Sequence, residues 1–452
     1  MTTRGSTHWG IIGGGMLGLT LAHRLLKQGD RVTVLEASDR IGGLADAWRL
    51  GDVTWDRNYH VILPVDRSLI ALLGELGLDS DINWARTGSD LFDGERFYPL
   101  NGGIDFLRLP ILSLIDKMRL AATILYASRI RDGSTLCDTG VEDWLVRLSG
   151  QRVFDTIWRP LLRAKLGDMY KDASAQFIQA IARRLYSARA QGVARDRFGT
   201  VRGGYATILE RLLVRLEAAG ADIITHAPVS AIDMVAGGIT AVSKHKAFAF
   251  DKVIVTAPPP HAARICKTLD ADEKARLNNV RYQGVICASA LLTKPLRGGY
   301  LTYITAEDCP LTTVIDMSAV AGKDVFGGRT LAYLPMYLAS EDALFDASDE
   351  DLERILISGL NRLYPDITRD DIAAFRISRA RHVLPVPVRG YARNIPGIVT
   401  SVPGLYTVNS ANILNGTLNV NETIELAERA LVEIGADTRH TAPESVQPRA
   451  AE

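Results

Sequence analysis

Residues 9–18 read Trp-Gly-Ile-Ile-Gly-Gly-Gly-Met-Leu-Gly, and residues 31–43 read Arg-Val-Thr-Val-Leu-Glu-Ala-Ser-Asp-Arg-Ile-Gly-Gly. Together they spell a short buried strand, a glycine turn, an amphipathic helix and a second strand that ends in an acid. Gly13, Gly15 and Gly18 occupy the G-x-G-x-x-G positions. The first permits the tight turn, the second lets a pyrophosphate approach the backbone, and the third lets helix pack on strand. Leu17, Leu21, Leu25 and Leu26 recur at helical spacing, and Gly29 is placed to end that helix. Glu36 lies about 20 residues past the glycines, where an acid suits the hydroxyls of an adenosine ribose. The glycines alone would be weak. In this strand–turn–helix–strand–acid order they indicate a dinucleotide site.

The residues behind Glu36 distinguish one dinucleotide from another. Glu36-Ala37-Ser38-Asp39-Arg40-Ile41-Gly42-Gly43-Leu44 resembles the E-x-x-x-R-x-G-G extension of the FAD-dependent amine oxidase, protoporphyrinogen oxidase and phytoene desaturase superfamily, with the protoporphyrinogen-oxidase-like branch nearest. A solvated turn is the plain alternative, since Asp-Arg-x-Gly-Gly is ordinary loop chemistry. The position directly behind Glu36 favours the flavin reading. The resemblance implies an α/β fold, a Rossmann-like FAD-binding domain with an inserted mixed α+β substrate domain, and non-covalent FAD. It implies cofactor contacts at Gly13, Gly15, Met16, Leu17, Gly18, Glu36, Ala37, Arg40, Gly42, Gly43 and Leu44.

Two further blocks fit the same family in chain order. Gly203 and Gly204 precede a helical stripe of Tyr205, Ile208, Leu209, Leu212, Leu213 and Leu216. Strands follow at Asp222–Ile224, Pro228–Ile232 and Phe250–Pro258. In the family the residue matching Val229 contacts adenine through its backbone, although core packing explains these apolar residues equally well. Pro403–Asn409 resembles the last strand of the fold, followed by Gly416-Thr417-Leu418-Asn419 and a helix carrying Ile424, Leu426, Ala427, Ala430 and Leu431. The resemblance places that helix's N-terminus at the flavin pyrimidine ring, with cofactor contacts at Asn409, Ser410, Thr417, Leu418 and Asn419. Many relatives carry A-G-D after the strand. This chain has Val408-Asn409-Ser410, so an acidic contact is missing or replaced.

Length and composition agree. A chain of 452 residues exceeds one typical domain, and 47% apolar residues are ample for a large core. FAD-binding pieces are expected at 1–85, 200–262 and 390–435. Substrate-domain insertions are expected at 86–199, mainly helical, and 263–389, mixed. A disordered tail is expected at 436–452. Formal net charge is zero, so nothing global points to nucleic acid. The four scattered cysteines contain no C-x-x-C, which suits a reduced cytoplasmic setting. The eight histidines include no H-E-x-x-H or close pair, so no metal site is expected. The first strand begins almost at the N-terminus, leaving no room for a signal peptide. The best apolar stretch, 104–130, is broken by Asp105, Arg108, Asp116, Lys117 and Arg119, too charged to span a membrane. Ile111, Leu112, Leu114, Ile115, Met118, Leu120, Ala121 and Ile124 suit either an interfacial helix or ordinary packing in the substrate domain, and packing is the favoured reading. Oligomeric state is left open.

Charge is unevenly placed. Residues 147–215 hold 14 Lys/Arg against 5 Asp/Glu. A cationic segment facing the flavin would favour a substrate bearing phosphate or carboxylate, while a solvated helical face explains the same residues. Trp158–Gly167 resembles a segment that lines the substrate cavity in protoporphyrinogen-oxidase-like proteins. This makes Arg159, Arg163 and Lys165 substrate-binding candidates, with Arg189 and Arg195 in the same basic window. His60, in Trp55-Asp56-Arg57-Asn58-Tyr59-His60, follows the diglycine where relatives place residues beside the flavin. It is a candidate for proton transfer, for a bond to flavin or phosphate, or for a purely structural role. Tyr59 joins it as a substrate contact. Arg163 and Tyr391 complete the catalytic candidates, Tyr391 as a second cavity wall or a core residue.

Three functions follow. The first is an FAD-dependent oxidase or dehydrogenase that takes a hydride from a small molecule to flavin N5. The second is a redox-neutral flavoenzyme acting on a nucleotide sugar, similar to UDP-galactopyranose mutase. The third is a flavin-holding scaffold, which would show a closed or absent substrate cavity.

Overall fold

A computed structural model describes residues 6–189, 196–244, 246–414 and 417–440. Its first layer is a five-stranded parallel sheet with strand order Leu405–Thr407, Lys252–Val255, His8–Ile12, Arg31–Leu35 and Asp222–Ile224. Ile11 sits level with Val34 on one side and Ile254 on the other, and all three are fully buried. Such continuous apolar runs are what a parallel strand covered on both faces requires. The helix Met16–Lys27 crosses from the first strand to the second and packs on Gly204–Ala218 and Val420–His440. It ends where the sequence predicts, at Gly29 with φ +89°, and the Asp30 N–H turns back to the Leu25 carbonyl.

A three-stranded antiparallel sheet, Val229–Val235, Gly238–Ser243 and Lys246–Phe250, flanks this layer. The second large layer is a seven-stranded sheet. Its wholly buried strand Tyr282–Leu292 lies between Thr330–Ala339 and Ile372–Pro385. The insertion expected to be mixed at 263–389 thus supplies the long central strands of this sheet. Its helix Asp349–Leu363 is capped by the Ser348 hydroxyl, which accepts the Asp351 N–H at 3.1 Å.

The stretch 103–189 is helical, but the segment before it is not. Ser89–Phe92 and Phe97–Pro99 complete the far edge of the seven-stranded sheet. Ile82–Thr87 pairs antiparallel with Asp196–Val201, a ladder that closes the two ends of the helical excursion against each other. Within the excursion the chain widens into a π-turn over Phe154–Trp158, just before Pro160. Proline offers no N–H to the carbonyl four residues back and its ring needs room, which the wider turn gives. The final helix Val420–His440 corrects the disordered tail expected from 436: residues 436–440 continue the helix, and 441–452 lie outside the described residues. Gly416 and Arg195 also lie outside them. Among the described residues no helix is long and apolar enough to cross a membrane.

Candidate active site

Two glycine turns meet backbone to backbone at the carboxyl end of the parallel sheet. Gly13, at φ +114°, donates its N–H to the Leu35 carbonyl, and the Gly42 N–H reaches the Gly14 carbonyl at 2.8 Å. A Cβ on Gly18 would stand 2.0 Å from the Gly13 carbonyl oxygen, so only glycine lets the helix begin so close to the turn. Gly15 is different. Its backbone is extended (φ −73°, ψ 174°), and a Cβ there would meet nothing nearer than the Gly43 Cα at 4.0 Å. The protein's own packing does not demand glycine at 15. The space in front of it does. The helix that follows has neither a side-chain cap nor an acid in its first turn, so its N–H groups are open to an anion.

Glu36 closes this end. One carboxylate oxygen accepts the Gly14 N–H at 2.6 Å, and the other accepts the Ser38 N–H at 2.8 Å. Across the sheet, Val408-Asn409-Ser410 stands in place of A-G-D, so Ser410 takes the acid's position and Asn409 the glycine's. The Ser410 hydroxyl shares a 3.0 Å bond with the Tyr282 hydroxyl. The Asn409 side-chain oxygen accepts the Ala411 N–H, leaving its buried amide nitrogen without a partner, a donor suited to a phosphate or ribityl oxygen. At the last helix, Asn419 accepts the Glu422 N–H at 3.1 Å, so this terminus is partly capped rather than wholly open.

These residues line one cavity of about 850 Å³ that runs from the glycine turns to the seven-stranded sheet. A volume of this order takes a sizeable ligand, and the cavity takes in both the glycine-turn end and the end built on residues 57–61. Of the sequence candidates, Gly13, Gly15, Met16, Leu17, Glu36, Ala37, Arg40, Gly42, Gly43, Leu44, Val229, Asn409, Ser410, Leu418 and Asn419 lie in the wall. So do Tyr59, His60 and Lys165. Gly18 sits behind the turn, and Thr417 is off the wall.

Three candidates lie elsewhere. Arg159 pairs with Asp155 at 2.7 Å, and Arg163 faces Glu307 at 3.4 Å and Asp168 at 3.8 Å, both outside the cavity. Tyr391 is buried with its hydroxyl donating to the Ala411 carbonyl at 3.1 Å, beside a much smaller void. Packing gives it that position, and it does not wall the main cavity.

The substrate-facing half is built around residues 56–60. Asp56 is buried at the end of strand Val53–Asp56, accepts the Tyr205 N–H at 2.7 Å, and has its pKa pushed up by burial to about 8. The same burial pulls His60 down to about 4. His60 Nδ1 stands 3.9 Å from the Asp56 carboxylate, beyond hydrogen-bond reach, and has no partner. At neutral pH the pair is a neutral imidazole beside a largely protonated acid. Tyr59 and Tyr337 share a hydroxyl–hydroxyl bond of 2.9 Å, and the Lys165 ammonium lies 3.6 Å above the Tyr337 ring.

The sequence reading missed several wall residues. Tyr337 lies in Thr330–Ala339 four residues from Tyr333 and so shares its face of the strand, the one signal that was available. Arg57, Arg184 and Arg379 were also missed. Each of these, like Arg40, has an acid: Asp46 serves Arg40 at 3.9 Å and Arg57 at 2.6 Å, Asp66 serves Arg184 at 3.1 Å, and Asp349 serves Arg379. Among the described residues Lys165 is the wall cation with no acid beside it.

A parallel sheet, two facing glycine turns and an acid at the second strand's end define a dinucleotide-binding α/β protein. The family model for flavin-containing amine oxidoreductases matches residues 17–417, and the chain belongs to that family. Its cofactor is FAD, and the family is one of oxidoreductases. AofH of Mycobacterium tuberculosis, which carries the name of a flavin-containing monoamine oxidase, is 26% identical over 270 residues, covering 56% of this chain and 58% of its own. The chain thus spans less than two thirds of that relative's length. The coproporphyrinogen III oxidase of Mycobacterium leprae is 24% identical over 463 residues, 94% of this chain and 98% of its own. Two solved structures share the fold. A protein of Exiguobacterium sp. 255-15, solved under the name of protoporphyrinogen oxidase, superposes with TM-score 0.75 at 18% identity, covering 96% and 100% of the two chains. A reduced UDP-galactopyranose mutase superposes with TM-score 0.73 at 17% identity, covering 96% and 95%.

Proposed function

We propose that the protein oxidises a small molecule bearing a carboxylate or phosphate, with FAD held non-covalently along the glycine turns and the substrate held against Lys165. The pyrophosphate fits the side-chain-free gap at Gly15 and Gly43 and the open N–H groups of Met16–Lys27. Glu36 suits the ribose, and the unpartnered Asn409 amide suits a phosphate or ribityl oxygen. Bound FAD supplies the acceptor for a hydride and its two electrons. The chain supplies position and the proton path. Lys165, with its aromatic rest on Tyr337, attracts an anionic group, and the Tyr59–Tyr337 hydroxyls add hydrogen bonds beside it. As the substrate's C–H bond gives its hydride to the flavin, the accessible edge of the neutral His60 ring, away from its buried Nδ1, takes up the proton released from the adjoining N–H, O–H or C–H. Its low basicity suits a proton that becomes acidic only once the hydride has left.

The observation that carries this reading is the one wall cation without an acid. The test is anaerobic mixing of the holoprotein with compounds matched in pairs, with and without the anionic group, while flavin colour is followed. The anionic member is expected to bleach the flavin at the lower KM, and Lys165→Met to erase that preference. Equal bleaching by both members, or a preference that survives Lys165→Met, refutes the reading. Readmitting air then separates an oxidase, which regains colour rapidly, from a dehydrogenase. A redox-neutral enzyme would show no bleaching by its substrate and turnover only after prior reduction.

A further inference from the structure

The helix Leu114–Arg129 is packed with its polarity reversed. Its buried side carries Asp116, Lys117 and Thr123 along with Leu120 and Ala127. Its open side shows Leu114, Ile115, Met118 and Tyr126, the first three 61–63% exposed. Asp116 is held inward by the Ser113 hydroxyl and backbone, and Lys117 donates to the Leu107 carbonyl at 2.6 Å. That last bond pins the short helix Gly103–Arg108 alongside, and Ile104 and Leu107 extend the apolar face. Six of the twelve large exposed hydrophobics among the described residues fall within 104–126, and the others are scattered along the chain. A patch this concentrated marks a contact surface rather than the usual sprinkling of exposed apolar groups.

Charge says what covers it. The exposed charges of 104–131 are Arg108, Arg119, Arg129 and Arg131, all basic. The segment's two acids are engaged: Asp105 accepts the Asn101 N–H, and buried Asp116 has Arg152 at 3.6 Å as well as Ser113. On the neighbouring helix Val141–Ser149, Glu142 lies beside Arg159, and Asp143 and Arg147 add one charge of each sign. An apolar face ringed by arginines, on a helix pair neither long nor apolar enough to cross a bilayer, fits a surface that is oily below and anionic above. We propose that this face docks the protein on an anionic lipid surface. Through Leu120, Val153 and Ile157 the face is continuous with the core beneath Arg159–Leu166, the helix that carries Lys165. Docking therefore sets the cationic wall of the cavity close to the lipid.

The holoprotein is sedimented with phosphatidylcholine vesicles, with and without phosphatidylglycerol, at low and high salt. It should pellet with the anionic vesicles and less so as salt screens the arginines. The triple variant Leu114→Ser/Ile115→Ser/Met118→Ser should partition on the order of tenfold less or weaker still. Its FAD content and melting temperature should stay those of the parent, because these side chains support no core. Arg108→Glu/Arg119→Glu tests the charge alone and should lose the preference for phosphatidylglycerol. Wild-type protein left in the supernatant, or a triple variant that pellets like the parent, overturns the proposal. So does a concentration-dependent dimer that the triple variant abolishes in the absence of vesicle binding, since the face would then belong to a second copy of the chain.

Discussion

Gly15→Ala separates what the fold needs from what the cofactor needs. The residue's backbone is extended, where alanine is at ease, and the new methyl would meet only the Gly43 Cα at 4.0 Å. The apoprotein should therefore keep its melting temperature or gain slightly, since replacing glycine at a compatible position stabilises by about 0.4–1 kcal/mol. FAD binding should suffer. The methyl stands in the gap through which a pyrophosphate reaches the helix N–H groups, and each charge-assisted bond lost costs roughly 1.5–3 kcal/mol. Loss of one or two bonds weakens FAD by about tenfold to somewhat over ten-thousandfold, at about 1.4 kcal/mol per decade. The assay strips FAD from both proteins, records the apoprotein melts, and titrates FAD back by flavin fluorescence. Gly18→Ala is the contrast: its methyl would collide with the Gly13 carbonyl at 2.0 Å, so stability and binding should fall together. A Gly15→Ala protein with unaltered FAD Kd would refute the placement of the pyrophosphate.

Other consequences can be measured on the same material. Glu36→Ala leaves the Gly14 and Ser38 N–H groups without their acceptor, so FAD should bind weaker by about 1–3 kcal/mol, read by the same titration. Asp56 supplies a pH dependence. Its folded pKa, about 8, is raised above the unfolded value, so the folded state holds the extra proton and stability falls as pH rises towards 8, then levels. His60, near 4 when folded against 6.5 unfolded, adds a smaller rise in stability that fades between pH 6.5 and 8 and cancels in the difference between wild type and Asp56→Asn. Wild-type stability minus that of Asp56→Asn should fall there by up to about 1.4 kcal/mol per pH unit, and a difference independent of pH in urea melts would contradict the buried neutral acid. Lys165→Met should raise KM for an anionic substrate by about tenfold at unchanged FAD content, in line with one lost charge-assisted contact. Arg163→Ala, facing Glu307 and Asp168 outside the cavity, should leave KM where it was.

The nucleotide half of the site was legible because its signals are local. Gly13, Gly15, Gly18 and Glu36 lie within one strand–helix–strand unit, and their order alone fixes the turn, the helix start and the acid at the strand end. The substrate half depends on contacts far apart in sequence. Arg163 and Lys165 occupy one helix two positions apart, about 200° around its axis, so only one of them can face a given wall. Which one depends on how that helix meets the Thr330–Ala339 strand, where Tyr337 receives Lys165. The missing acid was visible as a departure at 408–410, but the free amide donor of Asn409 needed the turn that occupies the other end of its side chain. The helix Leu114–Arg129 reversed its expected packing because Asp116 and Lys117 found partners inside, in Ser113 and the Leu107 carbonyl, which composition does not reveal. The strand Ser89–Phe92 was hidden for a similar reason, since its parallel partner Leu301–Ile304 lies far along the chain, and Phe97–Pro99 joins the sheet only by pairing back on Ser89–Phe92.

The central claim is that this chain holds FAD and uses it for redox chemistry. The most direct measurement is the visible spectrum of the purified protein, first as isolated, then after anaerobic reduction, then after air is admitted. The account predicts a flavin band that is released as FAD on denaturation, bleaches on reduction and returns on reoxidation. A protein with no flavin band, whose apo form also fails to take up added FAD, would contradict it.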